Sequence, residues 1–174
     1  MTEAAILGWS YRTTQIPETG LRESRSATEA ERAVVASELE LLACDGLDAR
    51  FSIRALGKGH YRLAGDLKAR LQQNCVVTLE PVDDEVRATF DVEYSPASGL
   101  PQSTADEVEA LSAAEVEPIE RGEIDVGRIV FETLAASLNP YPRKDGVSFD
   151  AKGLADGDSP AGPFDVLKKL KDGT

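Results

Sequence analysis

Two runs of strict alternation constrain this chain more than any other feature. Leu47, Ala49, Phe51 and Ile53 alternate with Asp48, Arg50, Ser52 and Arg54. After Gly57-Lys58-Gly59 the pattern resumes: Tyr61, Leu63, Gly65, Leu67, Ala69 and Leu71 interleave with Arg62, Ala64, Asp66, Lys68 and Arg70. Period two over both stretches predicts half-buried strands, since successive side chains point to opposite faces. A three-residue Gly57-Lys58-Gly59 loop then folds them into a hairpin. The register that keeps both apolar faces on one side gives opposed residues whose numbers sum to 116. It sets Arg50 against Asp66 and Asp48 against Lys68, two favourable cross-strand pairs. It also sets Arg54 against Arg62, a like-charge pair that an anion between them would relieve. That end of the hairpin is therefore a candidate contact.

The odd-numbered apolar pattern continues through Cys75, Val77 and Leu79, so a bend or break is expected near residues 72–74. Residues 81–85 read as a turn, with Glu80 then opposite Arg87 and Thr78 opposite Thr89. Val86, Ala88, Phe90, Val92 and Tyr94 predict another strand. Upstream, residues 5–12 read as a short strand with Leu7, Trp9 and Tyr11 on one side, and Pro17 and Gly20 break it. Thr28 followed by Glu31 is a capping box that opens a helix to about Leu42, with Ala30, Ala33, Val34, Ser37 and Leu41 buried. Asp125 can cap a second helix running to about Leu138, with Val126, Ile129, Val130, Leu134 and Leu138 inside; Asn139-Pro140 stops it. Residues 95–117 read as a solvated acidic loop, and residues 144–163 as a flexible Gly-, Asp- and Pro-rich segment. Phe164, Leu167 and Leu170 mark a short C-terminal helix. The expectation is an α+β fold: a curved, mainly antiparallel sheet able to close partly into a barrel, two main helices, a flexible acidic loop and a C-terminal tail. Residues 1–149 form one domain and residues 150–174 the tail.

With 174 residues and 41% hydrophobic content, a chain of this kind supports one core. No apolar run approaches the roughly 20 residues that span a bilayer. Without a basic, apolar leader, Met1–Trp9 does not read as a secretory signal, so a cytoplasmic site and reduced thiols at Cys44 and Cys75 are expected. The net charge is −12, but it is unevenly distributed. Between residues 50 and 79, Arg50, Arg54, Lys58, Arg62, Lys68 and Arg70 face Asp66 alone, a net +5. Between 80 and 125, fourteen acids face Arg87 and Arg121, a net −12. The segment at 50–79 is a candidate phosphate-binding face, or an ordinary solvated one.

Catalytic devices are poorly motivated. His60 is the sole histidine and sits beside a glycine loop. Gly57-Lys58-Gly59 lacks Walker spacing. Cys44, Cys75 and His60 make no recognisable tetrahedral set, so neither metal nor another cofactor is expected, nor a small-molecule substrate. Cys75 reads as a small buried hydrophobe on the inner side of a strand. Tyr141, between two prolines, either docks on the sheet or stacks on a base.

Two stretches carry a family likeness: Cys75-Val-Val-Thr-Leu-Glu-Pro-Val82, and Gly122-Glu-Ile-Asp-Val-Gly-Arg-Ile-Val-Phe-Glu132 leading to Asn139-Pro-Tyr-Pro-Arg143. Their order and spacing resemble the YceD family over most of residues 5–149, and the last phrase resembles its alphaproteobacterial branch. On the matched positions the signature falls on Cys75, Glu80, Pro81, Asp125, Glu132, Pro140 and Pro142. Many relatives carry Cys-x-x-Cys where this chain has Cys75-Val-Val-Thr78, and a further cysteine near the Pro-x-Pro segment; this chain has neither. The resemblance implies a non-enzymatic role in the synthesis, processing or stability of 23S ribosomal RNA, through ribosomal RNA or a basic ribosomal protein. The alternative is an acidic protein-binding module or assembly chaperone without RNA contact. Asp125 reads first as a helix cap. Glu132 either pairs with an arginine at the sheet edge or shapes a partner surface.

Overall fold

The computed structural model describes residues 6–96 and 116–147. The chain divides into two units, Met1–Lys144 and Asp145–Thr174. Every α-helix and strand among the described residues belongs to the first unit: β1 (Ser10–Arg12), β2 (Leu21–Ser26), α1 (Glu29–Glu38), β3 (Ala43–Gly57), β4 (His60–Asn74), β5 (Pro81–Pro96), β6 (Val116–Ile119), β7 (Glu123–Asp125) and α2 (Val126–Ser137); a single 3-10 turn at Thr13–Gln15 follows β1. The main sheet has the order β2-β3-β4-β5-β6, antiparallel except for the parallel pair β5–β6. A second, two-stranded sheet pairs β1 with β7. The fold is α+β. The main sheet ends at β2 and β6 and stays open, which corrects the expectation that it could close into a partial barrel.

The β3–β4 hairpin has the expected register: Leu47 pairs with Ala69, Arg50 with Asp66 and Arg54 with Arg62. Its loop is one residue tighter than expected. Gly57 pairs with His60 after a shift between Ala55 and Gly57, leaving a two-residue turn at Lys58-Gly59. Both turn residues have positive φ, 53° and 80°, as a turn matching the strand twist requires. The odd residues of β3 and β4 and the even residues of β5 share the inner face. Leu47, Ile53, Leu63, Leu67, Leu71, Val92 and Tyr94 are buried there beneath α1 and α2.

Elsewhere the structure departs from the sequence reading. β2 lies in a segment read as broken. Its residues Arg22 to Ser26 are all polar, and β2 is the sheet edge, where no alternating apolar face is required. Residues 81–85 belong to β5 rather than to a turn. The reversal is made by residues 75–80, so β4 and β5 pair Asn74 with Pro81 and Lys68 with Arg87. Arg87 therefore does not oppose Glu80, nor Thr89 Thr78. Leu79 closes that reversal with a left-handed φ of 59°, a conformation normally signalled by Gly or Asn. The segment at 5–12 is strand only from Ser10; Leu7 and Trp9 are nonetheless buried, and Tyr11 packs edge-on against Phe51 with centroids 5.6 Å apart. Of the loop expected at 95–117, residues 95–96 instead end β5 and 116–117 begin β6; residues 97–115 and the tail from 148, with its expected helix near Phe164, lie outside the described residues.

Helix α1 begins as expected. The Thr28 hydroxyl accepts from the Glu31 N–H and the Glu31 carboxylate accepts from the Thr28 N–H. Glu31 also accepts from the Gly8 N–H at 3.1 Å, which ties the N-terminal segment to the cap. The buried stripe is not the expected one. Ala30, Ala33, Val34 and Ser37 are exposed, and Leu41 lies beyond the helix and is half-buried. Val35 is buried, with Ala36 and Leu39 partly buried beside it. The cap orients the first turn, and the Arg32 guanidinium donates to the Asp45 carbonyl, so the face turned to β3 is 32, 35, 36 and 39. Thr28→Ala should cost about 1 kcal/mol of stability in urea unfolding, by removing one half of the capping box. An unchanged midpoint would show the cap to be idle.

Helix α2 follows the sequence closely. The Asp125 carboxylate accepts from the Arg128 N–H at 3.0 Å. Val126, Ile129, Val130 and Leu134 are buried, and Leu138 is the half-buried C-cap. The N–H groups of Val126 and Gly127 both donate to the Trp9 carbonyl, so the segment at 7–9 crosses the first turn and satisfies donors that a helix start leaves orphaned.

Candidate functional site: a charged sheet face and a pinned motif cluster

All six expected cations, Arg50, Arg54, Lys58, Arg62, Lys68 and Arg70, are exposed. Five are even-numbered residues of β3 and β4 on the face away from the helices, and Lys58 is in the turn. They divide by partner. Arg62 is held by Asp91 of β5 through two hydrogen bonds of 2.7 and 2.5 Å. The anion near the Arg54–Arg62 pair is thus supplied by the protein itself. Lys68 pairs with Glu85 at 3.0 Å, not with Asp48 opposite it; Asp48 accepts from the Ser26 hydroxyl instead. Among the described residues, Arg50, Arg54, Lys58 and Arg70 have no carboxylate within ion-pair distance.

The sequence did not point to a fifth cation without an ion-pair partner. Arg22 of β2 lies opposite Ser52, diagonal to both Arg50 and Arg54. Its polar surroundings gave no strand signal to place it there. Arg22, Arg50, Ser24, Ser52 and Asp66 line an open groove of about 580 Å³. The outer face is therefore divided: Arg22, Arg50 and Arg54 on β2 and β3, Lys58 in the turn and Arg70 on β4 have no ion-pair partner among the described residues, whereas Arg62 and Lys68 of β4 are bound by carboxylates of β5.

The signature residues form a different arrangement. Cys75 is fully buried, but it lies in the 75–80 loop rather than on a strand. Its N–H donates to the Glu80 carbonyl at 2.8 Å, and the Leu79 N–H to its own carbonyl at 2.9 Å. The Val76 N–H donates to the Pro142 carbonyl at 2.9 Å, and the Glu80 carboxylate binds the Lys144 ammonium at 2.8 Å. Gln73 donates to the Asn139 carbonyl at 3.2 Å. The loop and the segment 139–144 are thus pinned together. The sulfur faces the Thr78 hydroxyl and the N–H groups of Lys144, Thr78 and Val77, which pull its pKa down to about 6. It is buried as expected, though outside the main hydrophobic cluster. Cys44 contrasts: burial pushes its thiol up, against the opposing pull of Arg32.

The remaining signature residues lie elsewhere. Pro81 opens β5, where a residue without an N–H is tolerated. Pro140 is exposed and Pro142 buried. Tyr141 is 69% exposed, so of its two readings docking on the sheet does not hold. Glu132 pairs at 3.1 Å with Arg128 one turn earlier on α2, and Arg128 reaches Glu117 of edge strand β6 at 2.7 Å. The arginine expected at the sheet edge is supplied by the helix. Lys144, Thr78 and Arg128 were not legible as members of these clusters, because their partners are remote in sequence or donate through the backbone.

Among the described residues no three His, Cys, Asp or Glu side chains converge as metal ligands, and no helix is long and apolar enough to cross a membrane. Fold and surface define a small α+β domain whose exposed chemistry is charge displayed on one sheet face. The family model described as large ribosomal RNA subunit accumulation protein YceD matches residues 63–171, more than half of the chain, and the chain belongs to that family. The match begins in β4 and so leaves out the N-terminal part of the stretch where the resemblance was read. No curated protein and no solved structure matches the chain.

Proposed function

We propose that this protein supports accumulation of the large-subunit ribosomal RNA without catalysis, in the cytoplasm, by holding RNA phosphates on the β2–β3 side of its sheet. The carrying observation is the side-by-side display of Arg22, Arg50 and Arg54, next to Lys58, with no ion-pair partner among the described residues. Arg70 extends the set along β4. Arg62 and Lys68 join it when phosphate displaces Asp91 and Glu85, because exposed ion pairs are worth only about 0–1 kcal/mol. No aromatic side chain is exposed on these strands' outer positions, so the contact reads backbone charge rather than base identity. The surrounding negative charge opposes indiscriminate binding.

Affinity for 23S ribosomal RNA fragments should fall with salt with a log–log slope of about −3, as expected for about four neutralised phosphates. The double variant Arg50→Glu, Arg54→Glu should weaken binding more than about tenfold and flatten the slope by about 2. Absence of binding at low salt, or an unchanged slope in the variant, would overturn the reading.

A further inference from the structure

A second site of opposite polarity lies at the other edge of the sheet. β6 is joined to β7 by a two-residue turn at Arg121-Gly122, both with positive φ, and the Glu123 N–H donates to the Glu120 carbonyl at 2.9 Å. That turn brings Glu117, Glu120 and Glu123 around the start of α2. With Tyr94, Asp125 and Arg128 they line a cavity of about 240 Å³. It is smaller than the roughly 300–1,000 Å³ of drug-sized ligand pockets and matches a single long side chain.

The charges do not balance. Arg128 is bound by Glu117 and by Glu132. Asp125 is engaged at the helix cap. Glu123 has only Arg12, at 3.4 Å, whose side chain is 69% exposed. Glu120 has no ion-pair partner among the described residues. The helix start contributes about half a positive charge, and Asp125 offsets it. A surplus of carboxylate remains.

Tyr94 supplies an independent observation. It is only 2% exposed, it lines the cavity, and its hydroxyl has no hydrogen-bond partner among the described residues. A buried hydroxyl left unpaired is costly, so its presence at the wall of a carboxylate-rich cavity calls for a ligand. Burial raises its pKa, Arg128 opposes the rise and Glu117, Asp125 and Glu132 add to it, so the group stays a neutral hydroxyl able to accept from a cation. The carboxylates do not converge as metal ligands, which leaves an organic cation. Residues 97–115, which lead into β6, contain four acids and no lysine or arginine. Negative charge therefore extends along the chain from the cavity, favouring a basic polypeptide.

We infer that this cavity takes one lysine or arginine side chain of a basic protein partner, with Tyr94 accepting from its N–H groups and Glu120 and Glu123 supplying the counter-charge. The site is separate from the RNA face and does not depend on it. The test is NMR titration of the full chain with Nα-acetyl-arginine amide and Nα-acetyl-lysine amide, with Nα-acetyl-norleucine amide as the neutral control. The Tyr94 ring signals should shift saturably with a basic probe and not with norleucine. The double variant Glu120→Gln, Glu123→Gln should weaken binding about tenfold. Tyr94→Phe should weaken it without lowering the thermal midpoint, since it removes a hydroxyl that the free protein leaves unpaired. Ribosomal RNA affinity should be unchanged in both variant proteins. The inference is overturned if Tyr94 does not respond, or if the glutamine variant binds like the parent. It is also overturned if replacing Lys168, Lys169 and Lys171 by Gln moves the Tyr94 signals of the free protein, because the occupant would then be the chain's own tail.

Discussion

Gly127→Ala should be among the most destabilising single-methyl additions in this chain, lowering stability by about 3 kcal/mol or preventing folding. A Cβ at Gly127 would overlap the Leu7 carbonyl oxygen and lie 2.9 Å from the Leu7 Cβ and 3.0 Å from its carbonyl carbon. Those neighbours include backbone that cannot step aside. The Val126 and Gly127 N–H groups both bind the Trp9 carbonyl, so moving the 7–9 segment away would strand two donors. Ordinary overpacking costs about 1–3 kcal/mol, and a clash with pinned backbone belongs at the upper end. Gly122→Ala is the control. Its Cβ would meet only the Thr13 hydroxyl, at 3.8 Å, so the loss there comes from its φ of +73° alone, about 1 kcal/mol. Urea unfolding of the two variants decides the matter: equal losses would show that close approach at Gly127 is not what its position requires. The run Ile124-Asp-Val-Gly127 thereby acquires a physical reading. Ile124 and Val126 fill the core, Asp125 caps α2, and Gly127 lets the N-terminal segment lie across it.

How much of this was legible depended on whether a signal was local. The β3–β4 register followed from alternation alone, because burying one face leaves a single alignment that keeps Phe51, Ile53, Leu63 and Leu67 together. Both helix caps were legible because Thr28 with Glu31, and Asp125, act within one turn. The phase of α1 was not, because Ala33 and Val34 are as apolar as the residues that are buried, and only tertiary contacts through Arg32 and Glu31 select the stripe. β2 was illegible for the opposite reason: an edge strand needs no apolar alternation. The reversal at 75–80 escaped because Leu79 takes a conformation that its side chain disfavours, while Pro81 and Asp83-Asp84 look like a turn. The basic face was legible as a set of residues but not as a set of free charges. Asp91 and Glu85 sit on a strand whose register depended on that reversal. The cavity at Tyr94 was beyond reach, since it joins β5, the β6–β7 turn and α2 across the unmarked crossover between parallel strands.

The reversal at 75–80 also carries the second large effect. Cys75→Ala should destabilise the fold more than Cys44→Ala, although both sulfurs are buried. At Cys44 the sulfur's polar contact is donation to the Gly46 carbonyl at 3.8 Å, and alanine removes mainly packing. At Cys75 the sulfur faces the N–H groups of Val77, Thr78 and Lys144 and the Thr78 hydroxyl. Alanine leaves those donors facing a methyl group, and it loosens the tie between the loop and the segment at 139–144. The pH dependence separates this from packing. The folded pKa of Cys75, about 6, is depressed from the ordinary 9.0, so its stabilisation is fully present above about pH 9 and is lost as pH falls through about 6. Cys44 has the opposite sign: its folded pKa is raised, so its contribution is present below pH 9.0 and lost as pH rises through the folded value. Between pH 6 and 9 the parent should therefore gain stability relative to Cys75→Ala, while the Cys44→Ala variant should track the parent. Thiolate ultraviolet absorbance of folded Cys44→Ala, which leaves Cys75 as the sole thiol, should titrate with a midpoint near 6. A midpoint near 9 would mean that the donors around Cys75 shape the loop without holding a thiolate.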